Sequence, residues 1–322
     1  MGELWISTWL DCHEPKGVLA EVRDEGQTAL IGIFAVRKGL AFLNQSGYPD
    51  RDQIWIEYNG LVGREELQAP ALIDATLALF RERHAAEVHL SMLPRDLGEA
   101  LLGALPKARI YQQVTGWERD LAELRRQGMS VLDALSANTR YQIRRSIRGY
   151  EQRYGPLRVS GASTLAEAMD IWRAAGAWHT NRWPDSGFAN PSFLTFHETL
   201  LKRGFDHGAV RLFRVTSGAT TIAALYFLLD GGNARFYLQG VKPEPDGKLK
   251  PGLTAHCLLM QKLLDEGWDS YDFMGGDSQY KRQLADRRRE FLSLRVHNGS
   301  LRHRISDVAR LIRDRFMPGT DA

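Results

Sequence analysis

The chain has 322 residues, of which 43% are hydrophobic, 25% charged and 10% aromatic, and its formal net charge is +3. That is globular chemistry with room for about two cores, and it excludes disordered, collagen-like and low-complexity chains. Two cysteines, Cys12 and Cys257, are too few for a disulfide framework, and no Cys/His spacing reads as a zinc site. The longest apolar run, IAALYFLL at 222–229, falls far short of the roughly 20 residues of a membrane-spanning helix. The opening MGELWISTWLD lacks the basic segment of a signal peptide. The expected setting is reducing and cytoplasmic, with no membrane span and no metal.

The charge is uneven. Residues 107–158 carry a net +6 and residues 281–315 a net +7, which leaves −10 on the rest. Two basic blocks on an acidic chain point to an anionic partner, or equally to solvated arginine faces.

In chain order, one pattern occurs twice. VLAEVRDEGQTALIGIFAVRKGLAFLNQSG (18–47) and VRLFRVTSGATTIAALYFLLDGGNARFYLQG (210–240) both read as three strands joined by glycine turns. Gly26 aligns with Gly218 and Gly39 with Gly231, each 192 residues apart. Each meander leads to a helix and a strand: PALIDATLALF (70–80) then EVHLSM (87–92), and PGLTAHCLLMQKLLDE (251–266) then SYDFM (270–274). The repeated β-β-β-α-β unit predicts an α/β protein with mixed sheets in two tandem halves. A basic helix (130–153) lies between the copies. The second copy is preceded by a strand (157–160) and two helices (164–178 and 192–203), the latter with Ser192 as N-cap. The first copy has no such elements before it and is expected to be shorter at its start. The spacing divides the chain at about residue 150, into 1–150 and 151–322, and predicts a last amphipathic helix over 305–316.

The motifs GxxxxGK[ST], GxGxxG, HExxH and GxSxG are absent, so the phosphate-loop, dinucleotide, zincin and α/β-hydrolase readings lose their main support. In KLKPGLT (248–254) a Pro-Gly pair opens a helix. Its unbonded N–H groups, with Lys248 and Lys250 beside them, can seat a pyrophosphate; a plain proline start is the alternative. GGDSQYKRQL (275–284) turns sharply after a strand, with Asp277 able to cap the helix that follows. Tyr280 and Lys281 then sit beyond the strand end, where ligands of α/β sheets bind, as proton donor and anion holder, or simply on the surface. Arg140, Arg144 and Arg148 recur every four residues and form one stripe, suited to a phosphodiester backbone or to solvent.

These stretches together resemble CelD/BcsL-like acetyltransferases of the GNAT superfamily, relatives of the tandem-GNAT FemAB peptidyltransferases. The resemblance covers about residues 15–300. It rests on the G-x-x-P…P-G-L helix start and on D-F-x-x-G-D-x-x-Y-K, here Asp272, Phe273, Gly276, Asp277, Tyr280 and Lys281. Further support comes from LSANTRYQIRRSIRGYEQ (135–152), from the H-x-x-R-W of His179, Arg182 and Trp183, and from IEYNGLVG (56–63), similar to a pocket-lining strand of the family. It implies two tandem GNAT-like halves and N-acyl transfer from acetyl-CoA or another acyl-CoA to an amine in the cleft between them. Under it, Tyr280, Lys281, Asp272, Glu57 and His179 are the candidate catalytic residues. Tyr280 would be the acid for the thiolate, and Glu57, at the expected seam, the base. Lys248, Lys250, Gly252, Leu253 and Thr254 would hold the donor. Tyr58, Asn59, Arg144, Arg148, Arg182, Trp183 and Asp277 would line the substrate side, although Trp183 by itself reads rather as core. LKPGLT stands where GNAT proteins carry Q/R-x-x-G-x-G/A, which keeps aminoacyl-tRNA open as the donor and tRNA as a partner. A non-catalytic binding module is the third reading. The acceptor is a small-molecule or polymer amine, and the chain is expected to act as a monomer or dimer.

Overall fold

A computed structural model describes residues 2–299, so the helix expected over 305–316 lies outside the described residues. The first unit opens with helix α1 (Glu3–His13) and the meander β1 (Gly17–Asp24), β2 (Gln27–Arg37) and β3 (Leu40–Leu43). Its turns have both central residues at positive φ, Glu25–Gly26 at 49° and 82° and Lys38–Gly39 at 50° and 79°. That geometry suits the twist of a hairpin and needs glycine at one of the two positions. There follow the short α2 (Pro49–Asp52), β4 (Val62–Gly63), α3 (Gln68–Arg81), β5 (Glu87–Pro94), α4 (Arg95–Ala104) and β6 (Ala108–Asp120). Helix α3 buries Leu72, Thr76 and Leu79, a face at helical spacing.

Helices α5 (Leu121–Arg126) and α6 (Ala137–Tyr154) lead to the second unit. This comprises β7 (Leu157–Gly161), α7 (Leu165–Arg182), α8 (Pro191–Gly204), β8 (Val210–Ser217), β9 (Thr220–Asp230), β10 (Asn233–Val241), α9 (Pro251–Asp265), β11 (Ser270–Gly275), α10 (Gln279–Leu284) and β12 (Arg287–His297). Asn190, not Ser192, caps α8, because Pro191 takes the first helical position and the Asn190 side chain accepts from Ser192 N–H.

The duplication is real. In both units an antiparallel meander passes through a helix to a parallel strand, β3 beside β5 and β10 beside β11. The equivalent residues Met92 and Met274 both carry positive φ, 51° and 57°, at the same bulge. Each unit also continues further than its sequence pattern revealed, through α4–β6 and α10–β12. These last strands are exchanged: the sheet order is β1-β2-β3-β5-β12-β6-β11-β10-β9-β8-β7. Strand β12 fills the place between β5 and β6, and β6 the place between β11 and β12. The antiparallel β6–β12 pair, from Arg287↔Glu118 to Val296↔Ala108, marks a pseudo-twofold axis.

The cores follow the same logic. One covers the first-unit sheet under α3 and α4 and includes Leu292, Leu294 and Val296 of β12. A second joins Leu121, Leu124, Ile143 and Tyr150 to α9 and to strands β8 to β11. The third places Trp5 and Trp9 of α1 against Trp172, Phe193 and Phe196 of α7 and α8. Residues 121–150 thus pack with the second unit. Because each half lacks its penultimate strand without the other, residues 2–130 and 131–299 expressed apart should give poorly dispersed NMR spectra. Co-expressed, they should assemble one-to-one on a sizing column. Well-folded separate halves would contradict the exchange.

Much of the basic character is consumed at this axis. Arg119 pairs with Asp286, Arg287 with Glu118 and Asp120, and Arg289 meets Glu118 bidentately at 2.8–3.1 Å. Neither an anionic partner nor a solvated face, the two alternatives for the basic blocks, accounts for these arginines, whose counter-ions come from neighbouring segments of the chain. Among the described residues no helix is long and apolar enough to cross a membrane.

Candidate functional site

Strands β10 and β11 pair only over Asn233–Arg235 and Ser270–Asp272 before diverging. Beyond that point opens a cavity of about 740 Å³. Its walls are β10 from Phe236 to Val241, the starts of α9 and α10, the last turn of α7, Gln142 of α6, and Trp55 from the first unit. Helix α9 begins as expected at Pro251-Gly252, with no side-chain cap on its first turn. Its free N–H groups and the Lys250 side chain make the cationic end of the cavity. Gly252 and Leu253 line it too. Thr254 does not: it is buried and donates to Ser146 Oγ at 2.8 Å, tying α9 to α6. Nor does Lys248, which stands outside on an exposed turn closed by its N–H bond to Asp246.

At the other end stand Tyr280 and Lys281. Ser278, rather than Asp277, occupies the N-cap of α10. Asp277 instead accepts from the Trp117 indole at 3.0 Å and pairs with Arg282 at 2.5 Å. Lys281 is 8% exposed and donates to the carbonyls of Phe273 at 2.7 Å and Gly275 at 2.5 Å. Glu57 accepts the Gly275 N–H at 2.6 Å, so carboxylate and ammonium grip the same residue from two sides. A Cβ at position 275 would come to 3.0 Å from Glu57 Oε1, which explains the glycine. Loss of hydration pushes Glu57 up to about 7, although the Gly275 N–H and the Lys281 charge pull the other way. Burial also lowers Lys281, against the pull of Glu57 and Asp272.

The strand expected over 56–63 is not formed at Glu57 and Tyr58. They lie on an irregular segment in which Trp55 (φ 46°) and Tyr58 (φ 51°) are left-handed. Such backbone persists only where its surroundings enforce it. Tyr58 donates to Asp272 Oδ2 at 2.6 Å, and Asp272 Oδ1 accepts the Met274 N–H at 2.7 Å. Asp272, 3% exposed and raised by burial, thus holds the bulge behind the cavity instead of facing into it. Alternation along β11 holds, with Tyr271 and Phe273 packed in one core cluster, but the side of Asp272 is taken by Tyr58 of the first unit. Asn59 is likewise structural. Its side chain bridges Asn44 and the Leu43 carbonyl, and its N–H donates to Met92 O at 3.1 Å. The Asn44–Asn59 network occupies the divergence of β3 and β5, the first-unit equivalent of the cavity.

His179 and Arg182 occupy the last turn of α7, which runs four residues past its expected end at 178, and both line the cavity. His179 Nδ1 meets Ser186 Oγ at 2.8 Å, and burial holds the ring below its usual range. Trp183 is not core: it is 52% exposed at the mouth, with the Arg182 guanidinium 5.5 Å over its ring. Arg144 and Arg148 form the anticipated stripe with Arg140, but it lines a separate depression of about 460 Å³ on the outside of α6. Trp55, Gln142 and Tyr237 escaped the sequence reading. Only Tyr237, on a strand of alternating burial, left a signal there.

Comparison with known proteins agrees with this architecture. A family model described as an acetyltransferase (GNAT) domain matches residues 137–282. A crystal structure of FemX superposes with a TM-score of 0.63 at 10% identity, covering 96% of this chain and 93% of that one. The structure of L-PGS from Bacillus licheniformis gives 0.59 at 15% identity, with 95% and 96% covered. No curated protein matches the chain in sequence. The fold is that of the GNAT superfamily, two tandem GNAT-like units of mixed α/β structure with the first shorter at its start.

Proposed function

We propose that the protein is an N-acyltransferase that moves an acyl group from acyl-CoA to an amine, within the CelD/BcsL-like branch of the superfamily. The observation that carries this is one cavity with the open α9 N-terminus and Lys250 at one end and Tyr280 and Lys281 at the other, with Glu57 bonded to Gly275 behind that end. The second unit binds the donor. The first contributes Trp55, Glu57 and Tyr58 across the seam.

Glu57, near 7, is basic enough to take the proton of the acceptor ammonium, directly or through one water. The amine nitrogen then bonds to the thioester carbonyl carbon and the C–S bond breaks. Tyr280, which burial pushes up to about 12, stays protonated and donates a hydrogen bond to the departing sulfur. Full transfer from such a phenol to a thiolate of pKa about 8.5 would run uphill, so the thiol takes its proton from solvent. This narrows the expected role of Tyr280 from acid to donor. His179, against Ser186, braces the wall. No metal enters the scheme, and a CoA donor suits a cytoplasmic setting.

Isothermal titration with CoA and acetyl-CoA tests the reading. Micromolar binding that weakens in Gly252→Val is expected, and no binding of either would refute it. Aminoacyl-tRNA remains the second reading, favoured by the half-buried Arg140 and the exposed Arg144 and Arg148 on the helix that also sends Gln142 into the cavity. A salt-sensitive gel shift with bulk tRNA, lost in Arg144→Glu/Arg148→Glu, would support it.

A further inference from the structure

We infer that the acceptor is an amine that carries its own acidic group, a carboxylate or phosphate, and that Arg182 holds that group. The inference rests on the acyl-transfer reading. No residue lining the cavity is an aspartate or glutamate, while Lys250 and Arg182 both reach it. Lys250 stands with the α9 start and serves the donor. Among the described residues Arg182 has no carboxylate partner, and its guanidinium stands exposed, 5.5 Å over the Trp183 ring. It shares the last turn of α7 with His179 and lines the cavity together with Tyr280, at the reacting end.

The same end is where the base is delivered. Gln53 donates to the Asp185 carbonyl at 3.2 Å, and Asn190 donates to Gln53 Oε1 at 2.7 Å. These bonds staple the segment that carries Trp55 and Glu57 to the loop just after Arg182. A ring chain, Trp55–Phe193–Phe188–His179, continues the link at 5.4–5.8 Å centroid spacings. Trp55, two residues before Glu57, and Arg182 thus line the same cavity, and an acceptor seated there meets the Arg182 guanidinium, whose planar five-donor fork suits a carboxylate or phosphate.

The test uses the full chain, acetyl-CoA and matched amines with and without the acid: lysine and cadaverine, tyrosine and tyramine, glucosamine 6-phosphate and glucosamine. Thiol release is followed. At least one acidic member should exceed its neutral partner in kcat/KM by about 10- to 100-fold, as a charged hydrogen bond implies. Arg182→Gln should bring that ratio near one through KM, Arg182→Lys should keep part of it, and CoA affinity should stay within about twofold. The inference is overturned by turnover of neutral members alone, by no turnover of any acidic member, by a ratio that survives Arg182→Gln, or by an equal loss of CoA affinity. Failure of the wild type to bind CoA is a different result, which removes the acyl-transfer reading and the inference with it.

Discussion

Replacing Glu57 with glutamine is expected to lower kcat by about 10²- to 10⁴-fold, the usual contribution of a positioned general base, with little change in CoA affinity. In the wild type the rate should climb with pH through about 7, where the carboxyl loses its proton, and that limb should vanish in the variant. Stability should move in the opposite sense. The folded carboxyl titrates near 7 and the unfolded one near 4.5, so between those values the native state holds the extra proton. Wild-type stability therefore falls as pH rises through this window, by at most about 3 kcal/mol, and Glu57→Gln should flatten the fall. Urea unfolding of both proteins at pH 5 and pH 8 measures the difference. An unchanged pH–rate profile in the variant would assign the base elsewhere.

Lys281→Met should have the largest effect on folding. The ammonium closes two carbonyls at the end of β11 and faces Glu57, all out of water. Removing it orphans the two carbonyls and takes away the positive charge that Glu57 feels, and breaking a buried pair in this way costs about 3–5 kcal/mol. Without the cation Glu57 should titrate higher, so any remaining activity shifts to higher pH. In a Glu57→Gln background the same substitution should cost less by about 0.5–3 kcal/mol, the coupling expected for groups in one hydrogen-bond network, here joined at Gly275. Strict additivity would show that the two do not act as a pair. The two substitutions separate the roles, since glutamine keeps the shape and loses the base, whereas methionine keeps the bulk and loses the support.

The site was legible in proportion to how local each signal was. Pro251-Gly252 and the Tyr280-Lys281 pair were found because helix starts and strand-end turns are written in neighbouring residues. Asp272 is expected to be catalytic and Asp277 and Asn59 to line the substrate side, yet the Tyr58 phenol, a neighbouring indole and a buried amide pair turn them to structural work. Such partners lie up to 214 residues away, as for Tyr58 and Asp272. Thr254 misses the cavity because a helix places only part of its first turns on any one wall, and Lys248 because it stands on the turn before the helix.

The sequence by itself determined the repeated β-β-β-α-β unit, its glycine turns, the α9 start and the arginine stripe of α6. Those follow from period-2 and period-3.6 burial and from turn chemistry, which act over a few residues. Tertiary structure alone decided that β6 and β12 change places, that the first-unit divergence is filled by Asn44 and Asn59, and that Glu57 crosses to Gly275. Each depends on pairing between distant segments, where register and the matching of buried polar groups choose among partners that look alike in one dimension.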